Sequence, residues 1–136
     1  MSDKGKEGQG GLAIQELRLT IKKEPEVAGS FLLLRGRVSS LMGNSIKRET
    51  ASGLGVDPAQ LGILPGADDS LKLQRARLEI DIRERREDPK FAEAYDALES
   101  DYNAVLRSIL EEVPAGERDA KVWYQAEKGL LKELGY

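Results

Sequence analysis

The sequence predicts an all-α fold: a small bundle of antiparallel helical hairpins in a single domain. Three observations carry this. Phe91, Tyr95, Leu98, Tyr102, Val105 and Ile109 recur at steps of four and three, the period of one apolar helix face. The boundaries of that helix are also written in the chain, with Asp88 and Pro89 ahead of it as N-cap and first helical residue, and Pro114 and Gly116 behind it. With 136 residues, 40% of them hydrophobic, the chain can build one core but not two.

Residues 1–11 hold four glycines and four charges with almost nothing apolar, a composition that cannot recover the entropy of ordering and predicts a disordered tail before a single domain over 12–136. From Leu12 to Lys23 two periods compete. Leu17, Leu19 and Ile21 alternate as on a strand, whereas Ile14, Leu17 and Ile21 fit a helix. After Pro25, the spacing of Val27, Phe31, Leu34, Val38, Leu41 and Met42 predicts a helix to about Asn44. The alternative for this region is a β-hairpin pairing Leu17–Lys22 with Phe31–Val38. Gly29, Gly36 and Gly43 recur every seven residues; on a helix they form one flat stripe that another backbone can approach closely.

Residues 52–69 read as a loop, with four glycines and with Pro58 and Pro65, and Asp68-Asp69-Ser70 is expected to cap the next helix. That helix, about 70–86, carries Leu71, Leu78 and Ile82 on one face and Leu73, Ala76 and Ile80 on another, which predicts contact with more than one neighbour. Residues 83–90 lack any apolar side chain and form a solvated bend, preceded by i to i+4 ion pairs Glu79–Arg83 and Asp81–Arg85. The seam helix follows over 89–113. The last helix, about 117–134, turns Trp123, Ala126, Leu130 and Leu134 inward with Tyr124 and Leu131 beside them.

Without cysteine or histidine the chain has no thiol nucleophile, no Ser-His-Asp relay and no Cys/His zinc site. No phosphate-loop glycine pattern occurs, because Gly53 and Gly55 are followed by Pro58 where a third glycine would stand. Asp68-Asp69 and Glu111-Glu112 lack calcium-loop spacing. No catalytic residue, cofactor or metal is expected. The longest aliphatic or aromatic run is Phe31 to Leu34, so no membrane segment or leader is predicted and a cytoplasmic location is expected. The net charge of -3 divides unevenly: nine Lys/Arg face six Asp/Glu in residues 1–50, and twelve face eighteen in residues 51–136.

Ala51-Ser52-Gly53-Leu54-Gly55-Val56-Asp57-Pro58-Ala59-Gln60-Leu61 resembles the turn of helix-turn-helix DNA-binding proteins. The resemblance implies a small packing residue at Ala51, the turn at Leu54 to Val56, and Asp57-Pro58 opening a recognition helix that Gly62 and Pro65 cut short. It implies a DNA-binding regulator built on 46–64, in which Lys47 and Arg48 meet phosphates and Gln60 reaches a base edge. Residues 88–99 also resemble the lead-in helix of helix-turn-helix antitoxins.

The first expectation is a different one: a non-enzymatic helical interaction or assembly protein, with a protein partner or a second copy of the chain. Its partner-binding residues are expected to be Phe91, Tyr95, Leu98, Tyr102 and Val105 of the seam, together with Trp123. DNA is the alternative partner.

Overall fold

The computed structural model describes the backbone from Ser2 to Tyr136 and the side chains from Ala13 onward. Its five helices are α1 (Ser2–Lys23), α2 (Pro25–Leu54), α3 (Ala67–Arg85), α4 (Pro89–Glu111) and α5 (Ala120–Glu133), with short 3-10 turns at Pro58–Leu61 and Ala115–Glu117. There is no strand among the described residues. The disordered tail expected over 1–11 falls on residues whose side chains lie outside the described ones.

The period that wins between 12 and 38 is the helical one. Leu17 is fully buried with Ile14 and Ile21 packed beside it, while Leu19 is 59% exposed. A strand would have put residues 17, 19 and 21 on one face. The alternative β-hairpin is therefore corrected: both of its arms are helical, separated by a break at Glu24, with Pro25 opening α2.

The central element is α2, which packs against each of the other four helices. Antiparallel to it lies α3, with Asp68 beside Asn44 and Arg48 at one end and Arg85 sharing a groove with Pro25 and Gly29 at the other. On another side α4 places Tyr95 and Tyr102 edge-on to Phe31, with ring centroids 5.5 and 5.1 Å away. α1 packs along α4, with the Thr20 hydroxyl 3.1 Å from Asp101 Oδ2. α5 closes the core with Leu130 and Leu131.

Both signals at the start of α4 are realised. The Asp88 carboxylate accepts from the Lys90 amide at 3.0 Å, with Pro89 at the first helical position. The bend before it is held by Arg86, which pairs with Asp96 at 2.8 Å and lies over the Tyr95 ring at 5.3 Å. The expected cap at Asp68-Asp69-Ser70 is corrected. α3 starts at Ala67 after Gly66, whose φ of +79° suits only glycine, and Asp68 is drawn instead onto α2. Of the two ion pairs expected on α3, Asp81–Arg85 forms at 3.1 Å, while Glu79 takes Arg75 at 2.8 Å in place of Arg83.

Candidate interaction surface

The seam of α4 is turned into the chain's own core. Leu98, Tyr102 and Val105 are at most 1% exposed and Tyr95 is 7% exposed, with Phe91 and Ile109 packed at the margins. Covered by α1, α2 and α5, these four side chains present no surface to a partner. The expectation that they bind one is corrected, for a physical reason: a helical period reports that a face is buried and carries no record of what buries it. Phe91 stays half-buried at the end of a groove between α2 and α3. Trp123, expected inward, is 41% exposed at the first turn of α5, where Val122 and Ala126 take the inner positions.

The core contains one polar cluster that apolar periodicity does not show. Glu127 of α5 is 3% exposed. Arg35 of α2 donates to it in bidentate fashion, Nε to Oε2 at 2.9 Å and Nη2 to Oε1 at 2.9 Å, while the Tyr102 hydroxyl of α4 donates to Oε2 at 2.8 Å. Burial, then the Glu127 charge and its hydrogen bond, push the Tyr102 phenol far above its usual range. Burial opposes the Arg35 charge, but the carboxylate more than compensates and its pKa is raised. Every oxygen of the carboxylate is occupied from within, so the cluster fixes the register of three helices and leaves no free base or nucleophile.

Around the turn that resembles a helix-turn-helix, the backbone follows a different local logic. α2 runs on to Leu54 and stops at Gly55 with φ +69°, where the Val56 amide bonds the Ala51 carbonyl and the Gly55 amide bonds Ser52. This is a Schellman stop. Asp57 then caps a four-residue 3-10 turn over Pro58–Leu61 by accepting from the Ala59 amide at 2.9 Å. The next α-helix begins only at Ala67. Gln60 and Lys47 are exposed, Arg48 Nη1 is held by Asp68 Oδ2 at 2.6 Å, and the element that carries Gln60 is the four-residue 3-10 turn.

The surface that stands open lies on α3. This helix packs on α2 and makes no comparable contact with another helix. Leu71, Leu78 and Ile82 turn toward α2, leaving Leu73 and Ile80 51% and 53% exposed on the opposite side. The sequence already separated these two faces. What it missed is that the fold supplies a neighbour for only one of them. Among the described residues no group of His, Cys, Asp or Glu side chains is arranged to hold a metal, and no helix is long and apolar enough to cross a membrane. Comparison with protein-family models, with curated proteins and with solved structures finds no match.

Proposed function

We propose that the chain is a non-enzymatic helical assembly protein that pairs with a second copy of itself through the outer face of α3. The observation that carries this is the unpartnered stripe of Leu73 and Ile80 on a helix docked along one side only. Charge supports a second copy as the occupant. On α3, Asp68 is drawn onto Arg48 of α2 and Arg85 pairs with Asp81, which leaves Asp69 near the start and Arg83 near the end, so two such helices laid antiparallel set that acid against that base.

The register follows from the spacing. Leu73 and Ile80 are about 10.5 Å apart along the axis at 1.5 Å per residue, and a two-fold axis between Ala76 and Arg77 brings Leu73 of one copy onto Ile80 of the other. The same operation draws Asp69 toward Arg83 of the second copy and Lys72 toward Glu79, each twice by symmetry. A two-helix contact of this kind sits at the small end of specific interfaces, so association in roughly the tens of micromolar is expected.

Sedimentation velocity over a concentration series tests the reading. The wild-type chain should pass from monomer to dimer, and Asp69→Arg should weaken the dimer while the combination with Arg83→Asp restores it. A chain that stays monomeric at millimolar concentration would sink self-association. Duplex DNA binding lost on Lys47→Glu with Arg48→Glu would instead favour a regulator.

A further inference from the structure

Between α2 and α3 lies a pocket of about 250 Å³ lined by Leu33, Arg37, Gln74, Arg77 and Leu78. Two cations from facing helices meet here with no carboxylate in the lining. Arg35, Arg48, Arg75, Arg85 and Arg86 each pair with an acid, whereas Arg37 and Arg77 form no ion pair among the described residues. On α3 the nearest acids are already taken, Glu79 by Arg75 at 2.8 Å and Asp81 by Arg85 at 3.1 Å. On α2 the nearest are Glu26 and Glu49, about 16–18 Å along the axis at 1.5 Å per residue. Both helices are in mid-course at this point, so neither dipole end bears on it, and Tyr136 lies on the α5 side of α2.

Arg37 is held there at a cost. Its Nε is buried with no hydrogen-bond partner among the described residues, which is rare for a donor and weakens the fold. That burial clamps the side chain as far as the base of its guanidinium, so the Nη ends that line the pocket are fixed in place. A charged fork that is positioned but left unpaired by the protein suits a planar oxyanion. The walls add a second requirement. Leu33 is 41% exposed and Leu78 half-buried, and an inorganic anion would leave that apolar surface in water. Gln74 donates its amide to Ser70 Oγ at 3.2 Å, which leaves the charge to the two arginines.

We propose that this pocket binds a small aliphatic carboxylate: the Arg37 and Arg77 guanidinium groups take the two oxygens, and Leu33 and Leu78 flank a short alkyl chain. The volume, just under that of ordinary small-ligand sites, limits the chain to a few carbons. The pocket opens on the α2 side of α3, apart from the stripe of Leu73 and Ile80, so binding here does not require self-association.

Titration of the isotope-labelled chain with sodium hexanoate, followed by the backbone amides and the Arg37 Nε–H resonance, tests it. Saturable shifts should centre on Leu33, Arg37, Arg77 and Leu78. Acetate should bind about tenfold more weakly for want of the alkyl chain, and inorganic phosphate should also bind more weakly than hexanoate. Arg77→Gln, at an exposed position, should keep its melting temperature within a few degrees of wild type and weaken hexanoate by about tenfold, as loss of a charge-assisted contact does. Arg37→Lys, which keeps the charge and removes the fork, should weaken it as well. Shifts that are absent or centred elsewhere, acetate or phosphate binding as tightly as hexanoate, or undiminished affinity in either variant would overturn the proposal.

Discussion

Tyr102 and Glu127, 25 residues apart in the chain, share a buried hydrogen bond of 2.8 Å at the point where α2, α4 and α5 meet. The phenol lies on the apolar seam of α4 and its ring packs against Phe31 at 5.1 Å, so one side chain serves both the hydrophobic layer and the polar cluster. Apolar layers tolerate sliding, because one aliphatic contact resembles the next. A bidentate Arg35–Glu127 pair joined by a phenol has one satisfied arrangement, and the three helices take the register that forms it.

Removing the carboxylate should therefore be costly. Glu127→Ala strands the Tyr102 hydroxyl in the core and leaves Arg35, whose side chain is about one-third exposed, with a partial route to water. A loss of about 2–3 kcal/mol is expected, measurable by urea denaturation. Joint replacement by Glu127→Leu, Arg35→Leu and Tyr102→Phe should recover much of it, since no buried polar group is then left unpaired. Equal loss in the triple and single variants would show that the cluster acts through packing volume alone.

The same phenol makes alkaline stability predictable in sign. Its folded pKa is raised above the ordinary value of 10.0, first by burial and then by the Glu127 charge. A raised value contributes stability that is whole below pH 10 and declines above it, because the unfolded phenol ionises first. Comparing wild type with Tyr102→Phe from pH 9 to 11.5 isolates this contribution. The wild-type curve should fall more steeply, and parallel curves would refute the assignment.

How much of this was legible in the sequence differs by kind of interaction. The helix α4 to within two residues of its end at Glu111, its Asp88 cap and the bend before it follow from local spacing and backbone chemistry, which a sequence carries directly. Leu17 and Leu19 divided two periods evenly, and only the presence of α4 on one side of α1 decides between them. Glu127 gave no signal, because a glutamate on a helix is ordinarily solvent-facing and its partners lie 25 and 92 residues away. Arg48 and Asp68 were assigned separate local roles, a phosphate contact and a helix cap, and the fold joins them into one ion pair. For the interaction surface, the apolar stripes of α3 and α4 look alike in one dimension; the outer face of α3 is distinguished only by the absence of a neighbour.

The glycines of α2 should separate by what each faces. A Cβ at Gly29 or Gly36 meets nothing within 4 Å, whereas one at Gly43 would lie 2.8 Å from the Tyr124 ring. The sequence suggested a close approach of backbones along this stripe; the approach occurs at Gly43 alone, and to a side chain. Gly29→Ala and Gly36→Ala should each stabilise by about 0.5–1 kcal/mol through helix propensity. Gly43→Ala should gain less or lose, and Tyr124→Ala should restore the gain in a double-mutant cycle. Identical gains at all three positions would refute the contact.

Acid should loosen the junction of α2 and α3 before the core. Arg48, and then Asn44, hydrogen-bond the Asp68 carboxylate and hold its pKa down from 3.8 to about 2. A depressed value contributes stability present above the unfolded pKa and lost as pH falls from about 4 toward 2. Asp68→Asn should flatten that part of the stability curve. An unchanged acid limb in the variant would place the titration elsewhere.

Paired substitutions on the two apolar stripes separate core from surface. Leu98 is fully buried in the seam of α4, while Leu73 is 51% exposed on α3. Leu98→Asp places a carboxylate among Leu, Tyr and Val side chains with no cation designed to meet it, and should abolish the cooperative thermal transition. Leu73→Asp removes half-exposed apolar surface from the outside of a helix whose inner face is intact, so its melting temperature should stay within a few degrees of wild type while any concentration-dependent rise in molar mass disappears. Circular dichroism and light scattering on the two variants give both readouts. A folded, lighter Leu98→Asp would mean that the seam joins copies of the chain, and an unfolded Leu73→Asp would mean that α3 has an inner contact on that side.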